Sequence, residues 1–110
     1  KPTRRTGTMG LEIHTIPSIS LAHITQAVND RFDKNDNPWC VHATYQGAGY
    51  FIYLDEPYCG NAADPVPQCL LDIRDWRMSL EKQGILDNSR WVRVDTDSDP
   101  VEGLPVYDWQ

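Results

Sequence analysis

Apolar and polar residues alternate along residues 11–16 (Leu-Glu-Ile-His-Thr-Ile), the period of two expected of a strand with one buried face. Pro17 closes that segment, and Ser18, Ser20 and Thr25 are each suited to cap a helix. Beyond them Leu21, Ile24, Val28 and Phe32 recur at steps of three and four, a single apolar stripe on a short helix ending near Asp33. Residues 33–38 (Asp-Lys-Asn-Asp-Asn-Pro) read as a turn.

Residues 39–45 and 50–55 are rich in aromatic and β-branched side chains and flank Gln46-Gly47-Ala48-Gly49. A two-residue loop with Gly47 at its first central position suits a type II′ hairpin. That register pairs Tyr45 with Tyr50, Ala43 with Ile52 and Val41 with Leu54 on an apolar face. Thr44 with Phe51, His42 with Tyr53 and Cys40 with Asp55 then share the opposite face. Residues 56–64 read as a loop, and Asp64-Pro65 as a helix start. Cys69, Ile73, Trp76 and Leu80 step by four, three and four with Leu70 beside them, while Asp72, Asp75, Ser79 and Lys82 point away and Gly84 stops the helix. Residues 90–95 are a last strand, and an acidic, proline-containing tail follows.

The order β-α-β-β-α-β predicts an α+β fold of the ferredoxin-like kind, a two-layer sandwich with two helices on one face of an antiparallel sheet. Residues 1–10 lack periodicity and read as a flexible tail or an expression remnant, leaving 11–110 as one α+β domain. The expected core is Val41, Ala43, Tyr45, Ile52, Leu54, Ile73, Trp76 and Leu80.

In that fold the first and third strands are central, so the side of the sheet away from the helices would gather His14, His42, Thr44, Phe51 and Tyr53 as a candidate binding face. RNA-recognition domains stack bases on such a face. Here the net charge of −6 repels phosphate backbones, and the basic cluster Lys1, Arg4 and Arg5 falls short of a basic patch. An aromatic face without positive charge suits a protein partner or a second copy of the chain, a homodimer. The tail, with Val106, Tyr107 and Trp109, is the other candidate to cover it.

No apolar run reaches the ~20 residues that cross a bilayer, so no membrane partner is expected. Three cysteines, Cys40, Cys59 and Cys69, form an odd set at unrelated spacings, which points to reduced cytoplasmic thiols. No metal or cofactor is expected. His14, His23 and His42 lack a second ligand at zinc spacing, and Cys59 to Cys69 is too long for a metal knuckle. Asp95, Asp97 and Asp99 begin like a calcium loop, but position six is Pro100 and position twelve is Val106. Gly-rich phosphate loops and nucleophile elbows are missing. Cys40 and His42 would share a face, yet Asp55 opposite Cys40 disfavours a thiolate. A non-catalytic interaction module is therefore expected; the alternative is a small enzyme or ligand-binding domain using His42, Tyr53 and Cys40.

Several short strings carry a family likeness: Ala22-His23-Ile24-Thr25, Trp39 with Val41-His42, Gly47, Gly49-Tyr50, Leu54-Asp55, and Gly103-Leu104-Pro105 with Trp109. Over roughly residues 20–110 these resemble an uncharacterised bacterial family, small domain-of-unknown-function proteins carried on genomic islands and other mobile elements, near toxin–antitoxin genes whose toxins target the cytoskeleton. The chain departs from that pattern in a longer hairpin turn and a more acidic second helix. The resemblance implies an accessory protein of a mobile genetic element and assigns no catalytic residue.

Overall fold

Thr25 opens the first helix by accepting the Val28 N–H on its hydroxyl at 3.2 Å. In the computed structural model, which describes residues 15–45, 48–54 and 64–109, this helix is α1, Gln26–Asp33. It is preceded by the short strand β1, Ser18–Ser20, and a single 3-10 turn, Leu21–His23. Asn35, at φ 56°, ends α1. Its N–H and that of Asp36 donate back to the carbonyls of Phe32 and Arg31, closing the last turn. The hairpin strands are β2, Val41–Tyr45, and β3, Gly49–Tyr53. The second helix is α2, Gln68–Lys82, and the last strand is β4, Trp91–Asp95. Gly84, at φ 78°, terminates α2 as its position predicts. The helix starts later than the Asp64-Pro65 signal, at a Pro67 cap.

Among the described residues the domain is α+β with two helices and four strands, but the sheet is mixed, in the order β1-β4-β3-β2, with β1 parallel to β4. This corrects the purely antiparallel, ferredoxin-like order. The parallel pairing opens at Pro17, whose carbonyl accepts the Arg93 N–H at 2.9 Å. Pairing with β4 thus starts at the proline, and Ile19 becomes the one fully buried side chain of β1. Thr15, Ile16 and Pro17 lie outside any strand, and residues 11–14 of the expected strand, with His14, fall outside the described residues.

The hairpin register also differs, by one residue. Tyr45 pairs with Gly49, Ala43 with Phe51 and Val41 with Tyr53. Gly49 makes this possible: a Cβ there would lie 1.9 Å from the Val94 carbonyl oxygen, so only glycine permits that approach to β4. β3, in the centre, keeps its apolar alternation, with Tyr50, Ile52 and Leu54 turned to the core. β2, at the edge, turns the other way from expectation. Val41 is 61% exposed and Ala43 is exposed, while His42 faces inward.

One core cluster joins Ile19, Ile24, Val28, Phe32, Ile52, Leu54, Leu70, Ile73, Val92 and Val94. Trp76 pack against it half-buried, and so does the C-terminal segment through Tyr107 and Trp109. Among these sits Arg77, fully buried. Its guanidinium donates to the carbonyls of Trp91, Asp87 and Thr15, each at 2.9 Å, and to the Glu81 carboxylate at 2.9 Å. It thereby fastens α2 to the starts of both β1 and β4.

Candidate functional site

Strand alternation puts Val41 and Ala43 of β2, Phe51 and Tyr53 of β3, and Trp91 and Arg93 of β4 on the outer face of the sheet. Tyr53 and Trp91 pair directly, their ring centroids 5.3 Å apart and tilted by 56°. Phe51 lies opposite Arg93. Phe51, Tyr53 and Trp91 are each half-buried, beside the exposed Val41. Toward β1 the face becomes polar. Arg93 Nε donates to Asp95 at 3.0 Å, and the Ser18 and Ser98 hydroxyls are hydrogen-bonded. Asp95 also accepts the Asp97 N–H at 2.7 Å, which, ahead of Arg93, holds its carboxyl below the usual carboxylate range.

Of the expected face, Phe51 and Tyr53 stay together on this side, whereas His42 and Thr44 lie on the inner side, through the sheet from them. His42 stacks on Phe32 at 4.7 Å and 15°. Its Nε2 donates to the Phe32 carbonyl at 3.1 Å, and its Nδ1 accepts from Asn37 Nδ2 at 2.9 Å, since a carbonyl can only accept. Both ring nitrogens are thus engaged at the end of α1. Asn37 also donates to the Cys40 carbonyl at 2.6 Å. His42, Cys40 and Tyr53 therefore do not converge on one pocket.

Trp91, Arg93, Val41 and Ala43 join the outer face in addition to the residues that the sequence predicts for it. Trp91 was legible, because an aromatic residue opening a strand at the far side of β3 pairs with Tyr53 once the sheet order is known. Val41 and Ala43 follow only from the shifted register.

The C-terminal segment runs elsewhere. The Tyr107 N–H donates to the Ala22 carbonyl at 2.9 Å, and Trp109 Nε1 donates to the Ile24 carbonyl at 3.1 Å. His23, 1% exposed, donates from Nδ1 to the Pro105 carbonyl at 2.8 Å and accepts the Val101 N–H on Nε2 at 2.9 Å. The segment is thus a strap over the helical side of the sheet. It leaves a cleft of about 300 Å³ lined by Ser20, Leu21, Ala22, Thr96, Tyr107 and Trp109. Burial pushes the Tyr107 hydroxyl up.

A smaller polar hollow lies between α1 and the hairpin, lined by Asn29, Asp33, Thr44 and Tyr50. The Tyr50 hydroxyl donates to Asn29 Oδ1 at 2.9 Å, and burial followed by the Asp33 charge pushes it up to about 12. It stays protonated at neutral pH and serves as a donor. Cys69 is buried, and desolvation pushes its thiol up. Among the described residues no three metal-ligating side chains cluster, and no helix is long and apolar enough to cross a membrane.

No curated protein and no solved structure matches the chain. A family model does match, over residues 16–109, and the chain belongs to the family it describes, the family of unknown function DUF5983, C-terminal domain.

Proposed function

We propose that the domain is a non-catalytic protein-interaction module that docks a protein partner on the outer face of its sheet. The observation that carries this reading is the aromatic band of Phe51, Tyr53 and Trp91 continuing into the exposed Val41, on the side of the sheet opposite the strap. Rigid aromatic rings bordered by the half-buried Arg93, which is ion-paired to the buried Asp95, have the composition of an interface centre and its border. His42, the natural candidate for acid–base chemistry, supports a non-catalytic reading because both its nitrogens are engaged by Asn37 and Phe32. The family islands in the sequence support reading such a module as an accessory protein of a bacterial mobile genetic element. The buried thiol of Cys69 agrees with a cytoplasmic setting.

Affinity capture with the intact chain, with Phe51→Glu and with Lys34→Ala as a surface control tests the reading. The expected result is a partner retained by the intact chain and the control but lost by Phe51→Glu. Identical capture by all three, or substrate turnover by the purified chain, would sink it.

A further inference from the structure

We infer that the free edge of β2 is a homodimer interface, at which two copies pair antiparallel about Ala43 and join their sheets into one of eight strands. This does not rest on the outer-face reading above. β2 is the last strand of the sheet order, and the opposite edge, β1, is only three residues long.

The direction of the backbone groups follows from the ladder. The Leu54 N–H donates to the Arg90 carbonyl, and the Thr96 N–H to the Ala48 carbonyl. Even-numbered residues of β3 therefore point their backbone groups at β4, and Gly49, Phe51 and Tyr53 point theirs at β2. Their partners Tyr45, Ala43 and Val41 point inward in return, so the N–H and C=O groups of His42 and Thr44 face the open edge. Among the described residues none of these four groups has a hydrogen-bond partner.

Natural edge strands are blunted by lysine, proline, a bulge or an inward charge. β2 reads Val-His-Ala-Thr-Tyr, with no such residue and no charge. The occupant is a second copy because the strand is complementary to itself. With a two-fold axis at Ala43, His42 of each copy exchanges both backbone hydrogen bonds with Thr44 of the other, which satisfies all four outward groups. Ala43 then meets its mate as a non-hydrogen-bonded pair, where Cα atoms approach to about 4.5 Å and small side chains fit. Val41, 61% exposed, gains a neighbour at position 45 of the other copy. The isologous symmetry closes the assembly at two.

Sedimentation equilibrium of the intact chain tests the inference. The expected mass is twice 12.6 kDa. Each copy carries −6, so dimerisation should tighten as salt rises from ~50 to ~500 mM through screening of self-repulsion, the opposite of what a basic partner strand would show. Two variants should raise the dimer dissociation constant by about tenfold or more. Thr44→Pro deletes an outward N–H that β3 does not use. Ala43→Lys puts like charges on the axis while leaving an exposed side of the strand. Unchanged far-ultraviolet circular dichroism confirms folding, and either variant alone suffices. A chain that stays monomeric at both salt concentrations overturns the inference. So does a dimer that both folded variants leave intact.

Discussion

The N–H of Val101 donates to Nε2 of His23 across 2.9 Å, a bond joining residues 78 positions apart at a site 1% exposed. Because Nδ1 of the same ring donates to the Pro105 carbonyl, the imidazole must be neutral and in a single tautomer to hold both ends of the strap. The strap also brings Leu104 into the core and the indole of Trp109 to the Ile24 carbonyl.

His23→Ala should therefore loosen residues 101–109 before it unfolds the sheet. The unpaired Val101 N–H and Pro105 C=O would cost about 1–3 kcal/mol each if they stayed buried, so the strap is expected to detach instead. Hydrogen exchange at the Tyr107 amide should accelerate, Trp109 fluorescence should shift to the red, and the amides of β3 should remain protected. Equal loss of protection in β3 and the strap would show that the strap is not a separable unit.

Gly49→Ala should be among the most damaging single-methyl additions in the chain. Its new Cβ would sit 1.9 Å from the Val94 oxygen, which is backbone and cannot swing aside. Overpacking of this kind costs about 1–3 kcal/mol or more. The neighbouring Ala48→Gly serves as a control, because it adds no atom. A thermal midpoint for Gly49→Ala equal to that of the intact chain would overturn the register.

The same glycine explains why the local sequence favours the other register. Gly47 and Gly49 both suit a tight hairpin, and local turn chemistry favoured the two-residue loop. The choice between them is made by a contact with β4, more than forty residues away. The central strand was legible, because Ile52 and Leu54 keep the alternation of a strand flanked on both sides. The edge strand was not, since one side of it answers to no neighbour. β1 was too short for periodicity to find, and its placement depends on the Pro17 carbonyl meeting Arg93. Arg77 stands four residues after Ile73 on the apolar stripe, a position that flags a buried cation. What it binds, the carbonyls of Thr15, Asp87 and Trp91, comes from three separate segments.

Acid should destabilise the fold through three carboxylates held below their ordinary value of 3.8. Asp87 accepts the Ser89 N–H at 3.0 Å and the Thr15 N–H at 2.8 Å, and these bonds, with Arg77 beside them, keep it well below the usual range. Arg31 does the same for Asp64, and the Asp97 N–H, then Arg93, for Asp95. Each folded value lies below the unfolded one, so the stabilisation is complete above the unfolded pKa and is lost as pH falls toward the folded one. Urea unfolding should show a lower midpoint near pH ~3 than at pH ~7. Asp87→Asn should be less stable at neutral pH and show a shallower fall. A variant with the full acid dependence of the intact chain would remove Asp87 from this account.

Val41 and Ile52 make the most direct comparison between the two possible registers. With Val41 opposite Leu54, both residues would lie in the core, and truncating either would leave a cavity. In the observed pairing Val41 sits opposite Tyr53 on the outer face and is 61% exposed, while Ile52 is fully buried between β2 and β4. Ile52→Ala should then cost about 2–5 kcal/mol. Val41→Ala should stay within about 0.5 kcal/mol of the intact chain when measured at a concentration low enough to keep copies apart. At high concentration the same change should weaken self-association, because Val41 borders the edge at which two copies would pair. Chemical denaturation at two protein concentrations separates these effects. A large loss from Val41→Ala at low concentration would return Val41 to the core, and the outer face and the open edge would both have to be redrawn.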